Sequence, residues 1–131
     1  MPRESLKRIL YVEDEASMRT IVQVALEDVG GFVLRVCHSG AEALASVVEF
    51  RPQLILLDVM MPVMTGPQLL ENLRTIPEAA KVPVIFMTAL DDEDEIEKFR
   101  SMGVVDVILK PIDPATLAED IREIWDEMPD H

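Results

Sequence analysis

The stretch Leu54-Ile55-Leu56-Leu57-Asp58 is an apolar run that ends in an acid, and the turn-forming segment Val59-Met60-Met61-Pro62-Val63-Met64-Thr65-Gly66 follows it. A short apolar run bounded by a turn is typical of a strand that is buried on both faces. An unpaired charge in such surroundings costs several kcal/mol, so Asp58 requires a partner, a metal or a reaction. The other strand ends of the chain decide among these three.

The composition restricts the class of protein. The chain has 131 residues, a formal net charge of −13 and one cysteine, and about half of it is apolar. This length suits one domain, and no apolar run predicts a membrane span or a secretory leader. The lone Cys37 excludes an internal disulfide, so we expect a reducing, cytoplasmic setting. The negative charge argues against direct nucleic-acid binding, which needs a basic face.

Apolar runs alternate with amphipathic stretches along the whole chain. The runs predict strands, and apolar residues at three- and four-residue spacing predict helices. Ser39 is a predicted helix cap, and Asp113 with Pro114 is predicted to open the last helix. The predicted strands cover residues 9–12, 32–37, 54–57, 84–87 and 104–109, and the predicted helices cover residues 17–29, 40–49, 67–74, 92–102 and 114–127.

Strands without in/out alternation imply a parallel sheet with helices on both faces. We therefore expect an α/β architecture of five βα units in one domain, residues 1–131, with a core of about 7–128 and no effector domain. The acidic run 91–95 is interpreted as a solvated helix start, with partner selection as the alternative. Trp125, on the last helix, is open to two interpretations, core packing or a small exposed interface.

Polar residues follow the predicted strands. Ligands bind outside the carboxyl ends of the strands in an open parallel sheet, and there lie Glu13 and Asp14, Asp58, Thr88 and Lys110. Crowded carboxylates repel and need a cation, and Mg²⁺ suits oxygen ligands. With the metal and Lys110 neutralising the pocket, Asp58 can act as a nucleophile that accepts a phosphoryl group. Thr88 and Lys110 would then contact phosphoryl oxygens, so the catalysis is positioning and charge compensation.

These residues also form a known constellation. The set Val12-Glu13-Asp14, Asp58-x-x-Met61-Pro62-x-Met64-Thr65-Gly66, Thr88-Ala89 and Lys110-Pro111 resembles the receiver domain of two-component response regulators. The resemblance covers about residues 7–128 and is closest in type to stand-alone chemotaxis regulators. It implies a flavodoxin-like three-layer (βα)5 fold, with a five-stranded parallel sheet of order 2-1-3-4-5.

The resemblance also implies a metal site. Asp58 corresponds to the phosphoacceptor, and Asp14 to the principal carboxylate for Mg²⁺, for which Mn²⁺ can substitute. Glu13 would act through metal-bound water, and the backbone carbonyl of Met60 would supply a further ligand. The protein would be a signalling phosphoacceptor rather than a metabolic enzyme.

The conformational switch implied by the resemblance involves Thr88 and Lys110, with a cis peptide bond expected between Lys110 and Pro111. Members of the family usually carry Tyr or Phe three residues before this lysine, and that position is Val107 here. A small β-branched side chain cannot swing as an aromatic ring does. The Thr88 half of the switch is retained, and the aromatic half is missing.

Two positions that flank the phosphoryl group in the family are Met60 and Leu90. Both side chains are apolar and do not orient a hydrolytic water. We therefore expect a long-lived phosphorylated Asp58.

Four functions are compatible with this sequence. The first is a stand-alone receiver, which takes a phosphoryl group from a histidine kinase or phosphotransfer protein and signals to a downstream protein or acts as a phosphate sink. The others are a pseudo-receiver that no longer phosphorylates, a receiver excised from a hybrid kinase, and an aspartyl-nucleophile phosphohydrolase. The positions of the first and last residues favour a natural single-domain protein. Receivers often pair weakly, so we expect a monomer or a weak homodimer without membrane contact.

Overall fold

The computed structural model describes residues 4–129. Its strands are β1 (Arg8–Val12), β2 (Val33–Cys37), β3 (Leu54–Asp58), β4 (Val84–Thr88) and β5 (Asp106–Leu109). Its helices are α1 (Ala16–Gln23), α2 (Gly40–Phe50), α3 (Gly66–Arg74), α4 (Glu93–Ser101) and α5 (Leu117–Glu127). The strands form one parallel sheet of order β2-β1-β3-β4-β5. The predicted flavodoxin-like (βα)5 fold is confirmed.

Burial follows the position of each strand in the sheet. The three inner strands β1, β3 and β4 are almost entirely buried, whereas the edge strands β2 and β5 are half-exposed. One apolar cluster packs α2, α3 and α4 on one face of the sheet, and a second packs α1 and α5 on the other. Helices therefore cover both faces, which explains the unbroken apolar runs of the inner strands.

Three of the helices begin at a residue whose side chain caps the helix. The Ser39 hydroxyl accepts the N–H of Glu42 at the start of α2, which confirms the predicted cap. Thr65 and Gln68 form a reciprocal capping box at the start of α3. Asp92 caps α4, and the acidic residues that follow lie in its first turn, where the helix dipole favours negative charge.

The sequence predicts one helix over residues 17–29, whereas α1 ends at Gln23. The segment Val24–Val29 that follows is a π-helix, in which the N–H of Gly30 bonds to the carbonyl of Ala25, five residues earlier. The guanidinium of Arg122, on α5, donates to the carbonyl of Gly30 and so ties this end of the helix to α5. Helical periodicity encodes neither this tertiary contact nor the wider turn beside it.

The start of the last helix was predicted three residues too early. A carboxylate oxygen of Asp113 accepts the N–H of Ala115 at 2.9 Å, and the carbonyl of Asp113 accepts the N–H of Thr116 at 3.1 Å. These bonds close a turn before α5 begins at Leu117. The carbonyl of Asp113 also accepts the N–H of Leu117 at 3.0 Å, so Asp113 caps the turn that leads into α5.

Trp125 lies in the core. Its side chain is buried in the cluster under α1 and α5, and its indole N–H donates to the carbonyl of Glu4 at 2.8 Å. Of its two interpretations, core packing is the one found.

Candidate functional site

Backbone hydrogen bonds fix the polar residues at the carboxyl edge of the sheet. The N–H of Glu13 bonds to the carbonyl of Cys37, and that of Val59 to the carbonyl of Met87, each at 3.0 Å. The N–H of Lys110 bonds to the carbonyl of Thr88 at 2.8 Å. Sheet pairing therefore continues past the strand ends and brings residues from distant parts of the chain to one edge.

Three carboxylates meet at this edge. Glu13, Asp14 and Asp58 each offer one carboxylate oxygen, and the three oxygens lie within 4.8 Å of one another. Glu13 and Asp58 are 1% and 3% exposed, and Asp14 is open to solvent. Two buried anions and one exposed anion form a small pocket with an open side.

Lys110 supplies a positive charge to this pocket. Its ammonium nitrogen lies 2.8 Å from Oδ1 of Asp58 and 3.3 Å from Oε1 of Glu13. Burial by itself would lower the pKa of Lys110, but the hydrogen bond to Asp58 and the two negative charges outweigh it and raise that pKa. The lysine is therefore held as a cation.

The pKa of Glu13 is higher than that of an ordinary surface carboxylate. Burial, and then the contact with the negatively charged Asp58, raises the pKa of Glu13 to about 7, although Lys110 partly opposes this. Burial is the largest cause of this shift, and the neighbouring Asp58 carboxylate adds to it. This is the electrostatic condition that favours a bound cation.

The donor set fits Mg²⁺. Carboxylate oxygens are hard ligands, the open side leaves room for the waters that Mg²⁺ retains, and the described residues place no thiolate or imidazole in the cluster. Glu13, Asp14 and Asp58 are the residues that would hold the ion. Met60 lies two residues beyond Asp58 with its side chain 67% exposed, and the use of its carbonyl as a ligand stays a prediction.

The loop after β3 approaches Asp58 closely. A Cβ atom on Gly66 would lie 2.8 Å from the carbonyl oxygen of Asp58, a distance that real Cβ atoms essentially never show. The N–H of Gly66 bonds to the carbonyl of Val59 at 3.0 Å. The glycine of the Thr65-Gly66 pair therefore allows α3 to start directly against the end of β3.

Thr88 and Val107 lie on the two strands beyond Asp58. Thr88 is fully buried, and its hydroxyl accepts the N–H of Leu90 at 3.1 Å. Val107 is half-buried and pairs in register with Phe86, whose ring meets that of Phe99 edge-on at 5.4 Å. The aromatic rings at this end of the sheet thus lie on β4 and α4 rather than on β5. The peptide bond between Lys110 and Pro111 is cis, as expected.

Two residues in contact with Glu13 were missed by sequence reasoning. The guanidinium of Arg19 donates to the carbonyls of Glu13, at 3.1 Å, and Asp14, at 2.7 Å. The hydroxyl of Tyr11 donates to Oε1 of Glu13 at 3.2 Å. The one available signal was spacing, since residues two apart on a strand share a face.

A parallel α/β sheet that gathers acids, a threonine and a lysine at its carboxyl edge defines the receiver class of signalling domain. A family model described as the response regulator receiver domain matches residues 9–122. The chain belongs to this family. Receiver domains are signalling phosphoacceptors rather than metabolic enzymes.

Relatives in sequence include full-length regulators. The chain is 34% identical over 116 residues to the DNA-binding response regulator MtrA of Mycobacterium leprae, covering 88% of the chain and 50% of the relative. It is 34% identical over 118 residues to the phosphate regulon transcriptional regulatory protein PhoB of Pseudomonas aeruginosa, covering 90% of the chain and 51% of that protein. The chain spans about half the length of these curated relatives.

Solved structures match over nearly their whole length. The chemotaxis response regulator CheY4 of Vibrio cholerae superposes with a TM-score of 0.82 at 28% identity, covering 91% of this chain and 98% of that one. A CheY-like receiver domain protein of Methanospirillum hungatei gives 0.79 at 29% identity, covering 94% and 96%. Between residues 4 and 129, none of the helices has the length and apolar character that crossing a membrane requires.

Proposed function

We propose that this chain is a response-regulator receiver that accepts a phosphoryl group on Asp58 from a phosphohistidine of a histidine kinase or phosphotransfer protein. The observation that carries the proposal is the position of Lys110, whose ammonium lies 2.8 Å from Asp58 inside a cluster of three carboxylates. Asp58 is buried and paired with a cation, and the exposed Asp14 marks the open side of the pocket.

The transfer is an in-line displacement. An oxygen of Asp58 attacks phosphorus, the P–N bond to the donor imidazole breaks with its electron pair left on nitrogen, and the product is an acyl phosphate on Asp58. Mg²⁺ held by Asp14 and Asp58 would supply positive charge to the phosphoryl group. Lys110 pairs with another phosphoryl oxygen, and the hydroxyl of Thr88 donates to a third.

Asp14 and Glu13 have different roles in this proposal. Asp14, exposed at the open side, would hold the metal together with Asp58 and the carbonyl of Met60. Glu13, which already accepts hydrogen bonds from Tyr11 and Lys110, would contact the metal through a water molecule. Mn²⁺ substitutes for Mg²⁺ in this oxygen-rich site.

The proposed output is a protein–protein contact. Residues 7–128 act as one receiver unit in the cytoplasm, as a monomer or weak homodimer, and either signal to a downstream protein or serve as a phosphate sink. The strong negative charge of the chain supports a protein target rather than nucleic acid. Thr88 and the Val107 region of β5 carry the change to the surface.

Intact mass spectrometry tests the proposal. Incubation with acetyl phosphate and Mg²⁺ is expected to add one phosphoryl group, which Asp58→Asn abolishes. Asp106→Asn, a matched change of an acid on β5 that pairs with Arg100 outside the pocket, is expected to leave the modification intact. Absence of the adduct in the unaltered protein would identify a pseudo-receiver, and continuous turnover of phosphomonoesters would identify a hydrolase.

A further inference from the structure

Tyr11 is the only tyrosine of the chain, and it lies directly beneath the carboxylate pocket. Its side chain is fully buried in the apolar cluster that packs α1 and α5 against the sheet. A buried phenol hydroxyl requires a hydrogen-bond partner, and that of Tyr11 donates to Oε1 of Glu13 at 3.2 Å. A core residue is thus bonded to a residue of the candidate metal site.

Among the described residues, few hydrogen-bond donors contact the carboxylate oxygens of Glu13. Oε1 accepts from Tyr11 and from Lys110, at 3.2 and 3.3 Å, while Oε2 meets the N–H of Glu15 at the longer distance of 3.4 Å. The shorter contact of Lys110, 2.8 Å, is with Asp58. Lys110 is therefore shared between two carboxylates, whereas Tyr11 is bonded to Glu13 alone.

This difference becomes important on phosphorylation. Under the proposed function, the ammonium of Lys110 pairs with a phosphoryl oxygen on Asp58, and its longer bond to Glu13 is the one that it can most readily give up. Tyr11 is then the side-chain donor left to Oε1 of Glu13 among the described contacts. A buried carboxylate without such a donor loses both orientation and stabilisation.

We propose that Tyr11 is a positioning residue of the magnesium site, whose hydroxyl holds the Glu13 carboxylate in place when Lys110 turns to the phosphoryl group. The inference rests on the proposed function. Tyr11 contributes more to Mg²⁺ binding in the phosphorylated state than in the free state. The reason is that Lys110 also holds Glu13 in the free state.

The test compares Mg²⁺ affinity in two states. Tyr11→Phe removes one oxygen atom and keeps the ring in the core. Calorimetric titration with Mg²⁺ is carried out on the free protein and on the protein with beryllium fluoride, a phosphoryl mimic. We expect Tyr11→Phe to weaken Mg²⁺ binding by about ten-fold with beryllium fluoride, the low end of what loss of a ligand's hydrogen-bond partner costs, and by less in the free protein.

A matched control separates positioning from packing. Ile9→Val alters a fully buried residue two positions earlier on β1, in the same apolar cluster. It is expected to lower the melting temperature and leave both Mg²⁺ affinities unchanged. In the unaltered protein, Mg²⁺ is also expected to change the near-ultraviolet absorption of the single tyrosine.

The outcomes are distinct. A Tyr11→Phe variant with unchanged Mg²⁺ affinities overturns the inference, and so does one with equal losses in both states. If the unaltered protein binds neither Mg²⁺ nor beryllium fluoride, the proposed function fails and the inference fails with it. A loss that is larger with beryllium fluoride supports it.

Discussion

The ammonium of Lys110 lies 2.8 Å from Oδ1 of Asp58, although 52 residues separate the two along the chain. The same ammonium reaches Glu13 at 3.3 Å, and Asp14 completes a group of three carboxylates. One lysine is thus bonded to two of the three acids. In the metal-free protein the pocket carries an excess of negative charge.

Removal of the lysine charge is expected to destabilise the fold. In Lys110→Met, Asp58 and Glu13 remain buried without their cation, and we expect the free energy of unfolding to fall by about 3 kcal/mol. Urea denaturation at pH 8 in the presence of a chelator measures this. Added Mg²⁺ is expected to restore part of the loss, because it supplies the missing positive charge.

The control for Lys110→Met is an ion pair at the surface. Arg100 and Asp106 lie 3.2 Å apart, with the arginine side chain 53% exposed. Arg100→Met is expected to cost less than about 1 kcal/mol, since exposed pairs contribute little. Similar losses in the two variants would contradict the assignment of Lys110 as the main counter-charge of a buried pocket.

The raised pKa of Glu13 predicts a specific pH dependence. Its pKa is about 7 in the folded protein and near 4.5 when unfolded, so the folded state binds the proton more tightly. Stability contributed by the protonated form is present below pH 4.5 and is lost as pH rises through 7. Of the groups facing Glu13, Asp58 strengthens this shift and Lys110 opposes it, while Tyr11 remains neutral because its own pKa is raised.

Glu13→Gln imitates the neutral side chain and isolates this effect. The free-energy difference between variant and unaltered protein, measured by urea denaturation without metal, is expected to grow in favour of the variant from about pH 4.5 to 7 and then level off. Mg²⁺ should reduce the difference above pH 7. A pH-independent difference would show that Glu13 does not titrate in this range.

The lifetime of the phosphorylated state is expected to be long. Met60 and Leu90 present apolar, partly exposed side chains at the positions that flank the phosphoryl group in the family. An amide in place of Met60 can orient an attacking water, so Met60→Asn is expected to speed the loss of phosphate several-fold. Intact mass, followed over time in Mg²⁺ buffer, measures the decay. A faster decay in the unaltered protein than in the variant would refute the expectation.

The loop between β3 and α3 contains a strained residue. Val63 has a φ of 66°, in the left-handed region that β-branched residues avoid, and its side chain is fully exposed. This conformation costs an L-residue about 1–2 kcal/mol, and glycine adopts it freely. Val63→Gly is therefore expected to raise the free energy of unfolding by about 0.5–1 kcal/mol, after the added flexibility of the unfolded chain.

Val33 provides the comparison for this change. It is also an exposed valine, but it lies in β2 with extended backbone. Val33→Gly is expected to lower stability by about 1 kcal/mol, since glycine weakens a strand. Thermal or urea denaturation of the two variants is expected to give shifts of opposite sign.

Local patterns predicted most of the architecture. The apolar runs located all five strands, and Ser39 was correctly assigned as a cap because its bond to Glu42 lies within one helical turn. The start of α5 was misplaced because Asp113 has the same local preference for a turn as for a cap. The π-helical segment Val24–Val29 was not predicted, and the carbonyl of Gly30 at its end accepts a bond from Arg122, which is distant in sequence.

The sequence by itself determined which residues lie at the strand ends, because run length, turn residues and capping act over a few neighbours. It thereby predicted that Glu13, Asp14, Asp58, Thr88 and Lys110 share one edge of the sheet. Tertiary structure alone decided which atoms meet there: the shared ammonium of Lys110, the Arg19 bonds to backbone carbonyls, and the Tyr11 hydroxyl on Glu13. Such contacts depend on side-chain direction and on the twist between neighbouring strands, which no local pattern encodes.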